Sequence, residues 1–198
     1  APKKVTDSPL RHHHFKTADI PRRGDPYTSR IPMLFNQDMT AYRVRPAKTH
    51  DKFQYYRNGG ADEIIFVYKG GGIVETVFGK LPYRAEDYIV IPRGITYRLV
   101  PNKIEEEDYL ILESVGPVRI PQRYLNHEGQ IKMGAPYSER DLHGPTEMIT
   151  VDKDEDVDVL GLARHVRVVG KRERAADQER DVRLLQDLQR ADVEVGRW

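Results

Sequence analysis

Residues Asp62 to Pro101 read DEIIFVYKGGGIVETVFGKLPYRAEDYIVIPRGITYRLVP. Ile64-Ile65-Phe66-Val67-Tyr68 is an apolar, aromatic and β-branched run that fits a pleated strand, and Gly70-Gly71-Gly72 behind it predicts a corner. Ile73, Glu75 and Val77 then alternate with Val74, Thr76 and Phe78, and Gly79-Lys80 is placed to turn the chain back. Tyr88 to Ile91 makes a third strand, and Pro92-Arg93-Gly94 is a tight turn before another from Thr96 to Val100. Strand-length runs at near-regular spacing, broken by Gly and Pro, predict an antiparallel sandwich or barrel rather than βαβ units.

Outward from this stretch the same grammar continues. Ile31 to Ala47, IPMLFNQDMTAYRVRPA, predicts two strands around a turn at Asn36-Gln37-Asp38. Asp51 to Asn58 predicts another, with Phe53 and Tyr55 facing one way and Gln54 and Tyr56 the other. Asn102 to Asp108, with Glu105, Glu106 and Glu107, reads as an acidic exposed loop, and Tyr109 to Val115 as a buried returning strand whose Glu113 is edge-facing or paired. Between Gly116 and Glu147 the recurrent Gly and Pro deny long regular elements, yet Ile120, Tyr124, Leu125, Ile131, Met133 and Tyr137 are apolar enough to pack. Val157 to Val169 reads as one or two strands, and in Ala175 to Ala191 the spacing of Val182, Leu185 and Leu188 predicts an amphipathic helix. The expected organisation is an extended segment over 1–30, a β-barrel over 31–115, a packed irregular arm over 116–150 and an Arg-rich tail over 151–198.

Composition excludes several functions. A net charge of +1 in 198 residues offers no electrostatic footprint for nucleic acid. Without cysteine there are no disulfides and no thiolate metal sites. No apolar run approaches the roughly 20 residues that span a bilayer, and the basic, polar start has no signal-peptide core, so a cytoplasmic, membrane-free protein is expected. Nucleophilic catalysis lacks a cysteine or a serine elbow, and Lys69-Gly70-Gly71-Gly72 is not a phosphate loop. His12-His13-His14 is dense in imidazole, but neighbours on a strand point to alternate faces and cannot all bind one ion; a solvated or interface segment is expected.

The strand order resembles the cupin double-stranded β-helix, a small all-β jelly roll. The resemblance rests on Glu63 with Gly70 and Gly72, and on Glu86-Asp87 followed by Pro92-x-Gly94. It implies metal ligands at set places: two histidines a few residues before the glutamate, and a third three residues after the second-half glycine. Arg57 and Gly59, or Tyr56 and Asn58 in the other register, stand where the first two belong, and Tyr97 where the third does. Glu63 alone remains, and one carboxylate does not make a two-His-one-carboxylate iron site. This barrel is therefore expected to bind no metal. Tyr56, Arg57, Glu63 and Tyr97 are its candidate pocket residues, with Glu63 expected as a structural carboxylate paired to Arg57 or Arg98, and the tyrosines either lining a pocket or filling the core.

Further pieces, in order, are more particular: Pro9-Leu10-Arg11-His12-His13-His14-Phe15-Lys16-Thr17, Tyr56-Arg57-Asn58 with Asp62-Glu63, Val74-Glu75-Thr76-Val77-Phe78-Gly79, Asp87-Tyr88-x-Val90-Ile91-Pro92, Arg123-Tyr124-Leu125-Asn126, and Ala135 to Pro145, APYSERDLHGP. Together, over about Ser8 to Glu147, they resemble the homogentisate 1,2-dioxygenase family in its bacterial form. The resemblance implies an Fe(II)-dependent enzyme that opens the ring of homogentisate in tyrosine and phenylalanine catabolism, and that works as a homo-oligomer. It also implies two cupin halves, with iron in the C-terminal one and the N-terminal one metal-free. The match stops near Glu147, before any His-Glu-His half, so a partial chain, truncated or frameshifted, is expected to be inactive alone. The alternatives are an autonomous metal-free cupin that binds a small molecule, and a metal-free sugar epimerase or isomerase that would rely on Tyr97 and Glu63.

Overall fold

The computed structural model describes residues 14, 16–148 and 158–161. Ten strands form two sheets: β1 (Arg30–Phe35), β2 (Met39–Val44), β3 (Gln54–Arg57), β4 (Asp62–Lys69), β5 (Gly71–Thr76), β6 (Gly79–Arg84), β7 (Tyr88–Ile91), β8 (Thr96–Pro101), β9 (Asp108–Ser114) and β10 (Asp158–Gly161). The first sheet runs β1-β2-β9-β4-β7 and the second β10-β3-β8-β5-β6. From β2 to β9, successive strands alternate between the sheets, apart from the β5–β6 hairpin. That winding, with orders β2-β9-β4-β7 and β3-β8-β5-β6, is the eight-stranded jelly roll of the cupin type. β1 extends the first sheet at β2, and β10 extends the second by running parallel to β3.

Alternation along the strands places the core between the sheets. Ile65 and Val67 of β4, Ile89 and Ile91 of β7, and Tyr109 and Ile111 of β9 meet Val74, Tyr83, Tyr97 and Leu99 of the second sheet. Burying side chains of this size contributes about 1.5–3 kcal/mol each. β1, an edge strand, tolerates Pro32 and carries a register shift between Pro32 and Leu34, both of which blunt an edge.

Several local expectations are corrected. The chain turns at Val77-Phe78, and Gly79 to Arg84 is a strand; Thr76 sets the turn, its hydroxyl accepting from Phe78 N–H (3.0 Å) and donating to Gly79 O (3.1 Å). Only Gly70, with φ +98°, is a corner, while Gly71 and Gly72 are already in β5. The acidic stretch is exposed only in part: Glu107 and Asp108 are buried. Glu107 accepts from Gly71 N–H at 2.9 Å, and Arg43 Nη2 bonds Asp108 Oδ2 at 2.6 Å. Short 3-10 turns at Gln122–Tyr124 and Glu139–Asp141 and a Leu125–Ile131 bridge shape the arm, and Tyr124 meets Tyr137 edge-on. Its described residues include none that are buried, and Met133 points into solvent. Of the strands expected in Val157 to Val169, Asp158 to Gly161 is present. The remainder, the helix expected over 175–191 and His12-His13 lie outside the described residues.

Candidate functional site

The barrel centre is built from two facing pairs. In the first sheet Glu63 of β4 and Glu113 of β9 are direct cross-strand partners; in the second, Tyr56 of β3 and Tyr97 of β8 are. Two carboxylates directly opposite one another repel and need a cation between them. Arg30, the first residue of β1, supplies it. Its Nη1 lies 2.5 Å from Glu63 Oε1 and 2.7 Å from Glu113 Oε1. Nη2 donates to the Tyr97 hydroxyl at 3.1 Å, and the guanidinium lies 4.6 Å from the Tyr56 ring centroid.

The outer bonds of the cluster are also made. Tyr97 donates to Glu63 Oε2 at 2.6 Å, and Tyr42 donates to Glu113 Oε2 at 3.1 Å. Tyr27 donates to the Tyr97 carbonyl at 3.1 Å, stacks on Tyr56 at 4.4 Å, and has His50 stacked on its other side at 4.1 Å. Glu63 and Tyr97 are wholly buried. Burial, reinforced by the Glu63 carboxylate, pushes the Tyr97 phenol well above its ordinary range, so it stays protonated and donates. Burial also raises the Glu113 carboxyl; Arg30 opposes this and Glu63 adds to it. His50, desolvated beneath Tyr27, is lowered to about 4 despite Asp25 nearby, and is a neutral imidazole at neutral pH.

Of the residues singled out from the sequence, the fold brings Tyr56, Glu63 and Tyr97 together and leaves Arg57 out. Arg57 faces the other side of β3, is exposed, and donates from Nε to Thr96 Oγ1 at 2.8 Å. The partner expected for Glu63, Arg57 or Arg98, is corrected to Arg30; Arg98 instead pairs with Glu75 at 2.5 Å. The reason is the strand period of two: Arg57 and Arg98 point away from the core because Tyr56 and Tyr97 point into it. Arg30 and Tyr27 carried no signal in the sequence, since an arginine at the start of a strand reads as a solvated charge. Glu113, charged within an apolar run, did carry one, and it is the paired residue.

The site does not suit an iron of the two-His-one-carboxylate kind. Tyr97 and Tyr56 are gathered with Glu63 around Arg30, and Asn58 is buried on the same face of the chain as Tyr56, so phenols and an amide stand in place of imidazoles. Asn58 turns its Oδ1 to the backbone of Gly60 and Ala61, both at 3.0 Å. Both Glu63 oxygens are engaged by Arg30 and Tyr97. Among the described residues, no three His, Cys, Asp or Glu side chains are grouped to hold a metal.

The class defined by fold and site is a cupin-type jelly roll with a side-chain-filled, Arg-bridged centre. By sequence, this chain is similar to a protein of Saccharolobus solfataricus named "Putative dioxygenase", at 33% identity over 139 residues, 70% of this chain and 35% of that protein. The chain thus spans about a third of the length of the curated relative it matches. No family model matches. Among solved structures, a cupin-2 domain containing protein from Shewanella frigidimarina overlaps 43% of this chain and 79% of its own, with 22% identity and a TM-score of 0.35. A Streptomyces PAC13 structure with uridine overlaps 53% and 83%, with 15% identity and a TM-score of 0.42. The described helices include none long and apolar enough to cross a membrane.

Proposed function

We propose that this chain is the metal-free cupin half of a ring-cleaving dioxygenase of the homogentisate 1,2-dioxygenase type, in which Fe(II) and homogentisate belong to a part of the protein outside the matched stretch. The observation that carries this reading is the Arg30 bridge between Glu63 and Glu113. Where a cupin metal would meet its carboxylate, a guanidinium supplies the positive charge, and phenols occupy the places of imidazole ligands. The similarity to a dioxygenase of which the chain spans about a third supports it further. The role of such a half is to be a rigid, self-satisfied scaffold, and no catalytic residue is assigned in it.

An autonomous cupin that takes a small molecule into the barrel is less well supported. A ligand at this level would have to displace Tyr97 from Glu63, or Arg30 from two carboxylates, leaving buried charge without a partner. A sugar epimerase meets the same obstacle, because its acid/base pair would be Tyr97 and Glu63.

The test is anaerobic reconstitution with Fe(II), desalting, and measurement of iron and of oxygen uptake with homogentisate. No retained iron and no uptake are expected. Near-stoichiometric iron, or turnover by this chain alone, would overturn the proposal.

A further inference from the structure

The walls around the Arg30 guanidinium come from one part of the fold and Arg30 from another. The walls are Tyr42 of β2, Tyr56 of β3, Glu63 of β4, Tyr97 of β8 and Glu113 of β9, all strands of the eight-stranded roll. Arg30 belongs to β1, the strand added outside that roll. Its side chain is 8% exposed, and its Cζ lies 4.6, 5.8 and 6.0 Å from the ring centroids of Tyr56, Tyr27 and Tyr42. Aromatic faces at that range attract a cation.

The walls hold their places without the occupant. Pairing of β4 with β9 sets Glu63 opposite Glu113, and pairing of β3 with β8 sets Tyr56 opposite Tyr97. The Tyr97 and Tyr42 hydroxyls bond the Oε2 atoms of Glu63 and Glu113, whereas Arg30 bonds the Oε1 atoms. Two carboxylate oxygens and one phenol therefore stay aimed at the guanidinium position whether or not it is filled. Only the terminal nitrogens are recognised: Nη1 meets both carboxylates and Nη2 the Tyr97 hydroxyl, while Nε is buried with no hydrogen bond.

We infer that the barrel centre is a guanidinium-binding site occupied in cis by Arg30, and that a free alkylguanidinium ion takes the site when that side chain is removed. A planar guanidinium presents its N–H donors as a rigid fork that suits carboxylates, which a compact ammonium does not. In the intact chain β1 tethers and positions the occupant, so a free ion at millimolar concentration does not displace it. The inference rests on the metal-free centre proposed for this half. Iron retention decides that proposal and guanidinium titration decides this one, so either can fail without the other.

The probe is N-ethylguanidinium, which replaces the atoms that Arg30→Ala deletes. Thermal unfolding of R30A at neutral pH is followed with this ion, with ethylammonium of equal charge, and with neutral ethylurea. Ethylguanidinium is expected to half-saturate the site on the order of 1 mM. At about ten times that concentration it should raise the midpoint by about 3–6 °C. Ethylammonium should bind at least about tenfold more weakly, ethylurea should shift nothing, and wild type should move by less than about 1 °C in any of them. If R30A does not fold by circular dichroism, R30A/E113Q carries the same titration, because it keeps Glu63 and Tyr97 with one buried carboxylate fewer to balance. An unmoved midpoint overturns the proposal. So does an equal shift by ethylurea, which would mean cavity filling, or by ethylammonium, which would mean charge alone. An equal shift in wild type overturns it too, because the ion would then be binding elsewhere.

Discussion

Glu63 and Glu113 stand directly opposite one another on adjacent strands, and a single nitrogen, Arg30 Nη1, bonds both carboxylates. Neither is tolerable in the barrel without that cation, and the Tyr97 and Tyr42 hydroxyls take up their remaining oxygens. The centre of the jelly roll is thus held by one residue contributed from the strand added at the sheet edge.

Arg30→Met is expected to cost about 3–5 kcal/mol, because it leaves two buried carboxylates without their counter-charge. Adding Glu113→Gln in that background should recover part of the loss. Urea unfolding of the single and double variants measures both; a single-variant loss under about 1 kcal/mol would show that Arg30 does not hold the centre.

The two tyrosines of the second sheet should respond unequally. Tyr97→Phe removes the 2.6 Å bond to Glu63 and is expected to cost about 1–3 kcal/mol. Tyr56→Phe removes only a 3.4 Å contact with Arg30 and keeps the ring under the guanidinium, so a cost below about 1 kcal/mol is expected. The reverse order in denaturation would contradict the bonding described.

His50 makes the fold sensitive to acid. Its pKa is about 4 in the folded chain against an ordinary 6.5, so between those values the unfolded chain binds more protons, and stability falls as pH drops through that window. The raised carboxyls Glu107 and Glu113 act oppositely, their contribution declining as pH rises through their own pKa values. They are common to wild type and variant and cancel in the difference. His50→Phe should lie within about 1 kcal/mol of wild type at neutral pH, since both ring nitrogens lack a partner and stacking on Tyr27 is kept. It should become progressively the more stable protein below pH 6.5. Parallel stability curves would rule out a buried, neutral His50.

Two turn positions should change stability in opposite directions. Glu86 sits at φ +75°, which costs an L residue about 1 kcal/mol or more, so Glu86→Gly is expected to stabilise by about 0.5–1 kcal/mol. Gly70, at φ +98°, has the Glu107 carboxylate where a Cβ would lie. Gly70→Ala should therefore cost more than about 1 kcal/mol, read as a lowered midpoint in thermal unfolding.

The sequence by itself determined the strands whose period and punctuation were unambiguous, from the pair around Asn36 to the run ending at Val115, and with them an antiparallel sandwich or barrel; the jelly roll followed from the resemblance carried by Glu63, Gly70, Gly72 and Pro92-x-Gly94. It also determined that Glu63 lacks histidine company, because that depends on residue type at each place and not on geometry. Tyr56 and Tyr97 were legible as inward candidates for the same reason. What only the tertiary structure decided is the partner of Glu63. Arg57 is near it in the chain and Arg98 follows the inward Tyr97, but strand alternation turns both outward, and the cation comes from Arg30, 33 residues earlier. Strand β6 was hidden because Gly79-Lys80 reads as a turn, whereas pairing with β5 and the backbone bonds of Lys80 to Thr146 and Glu147 make it a strand. A strand's own residues determine which of its faces is apolar; which charge lies across a barrel depends on register and winding, and no local pattern carries that information.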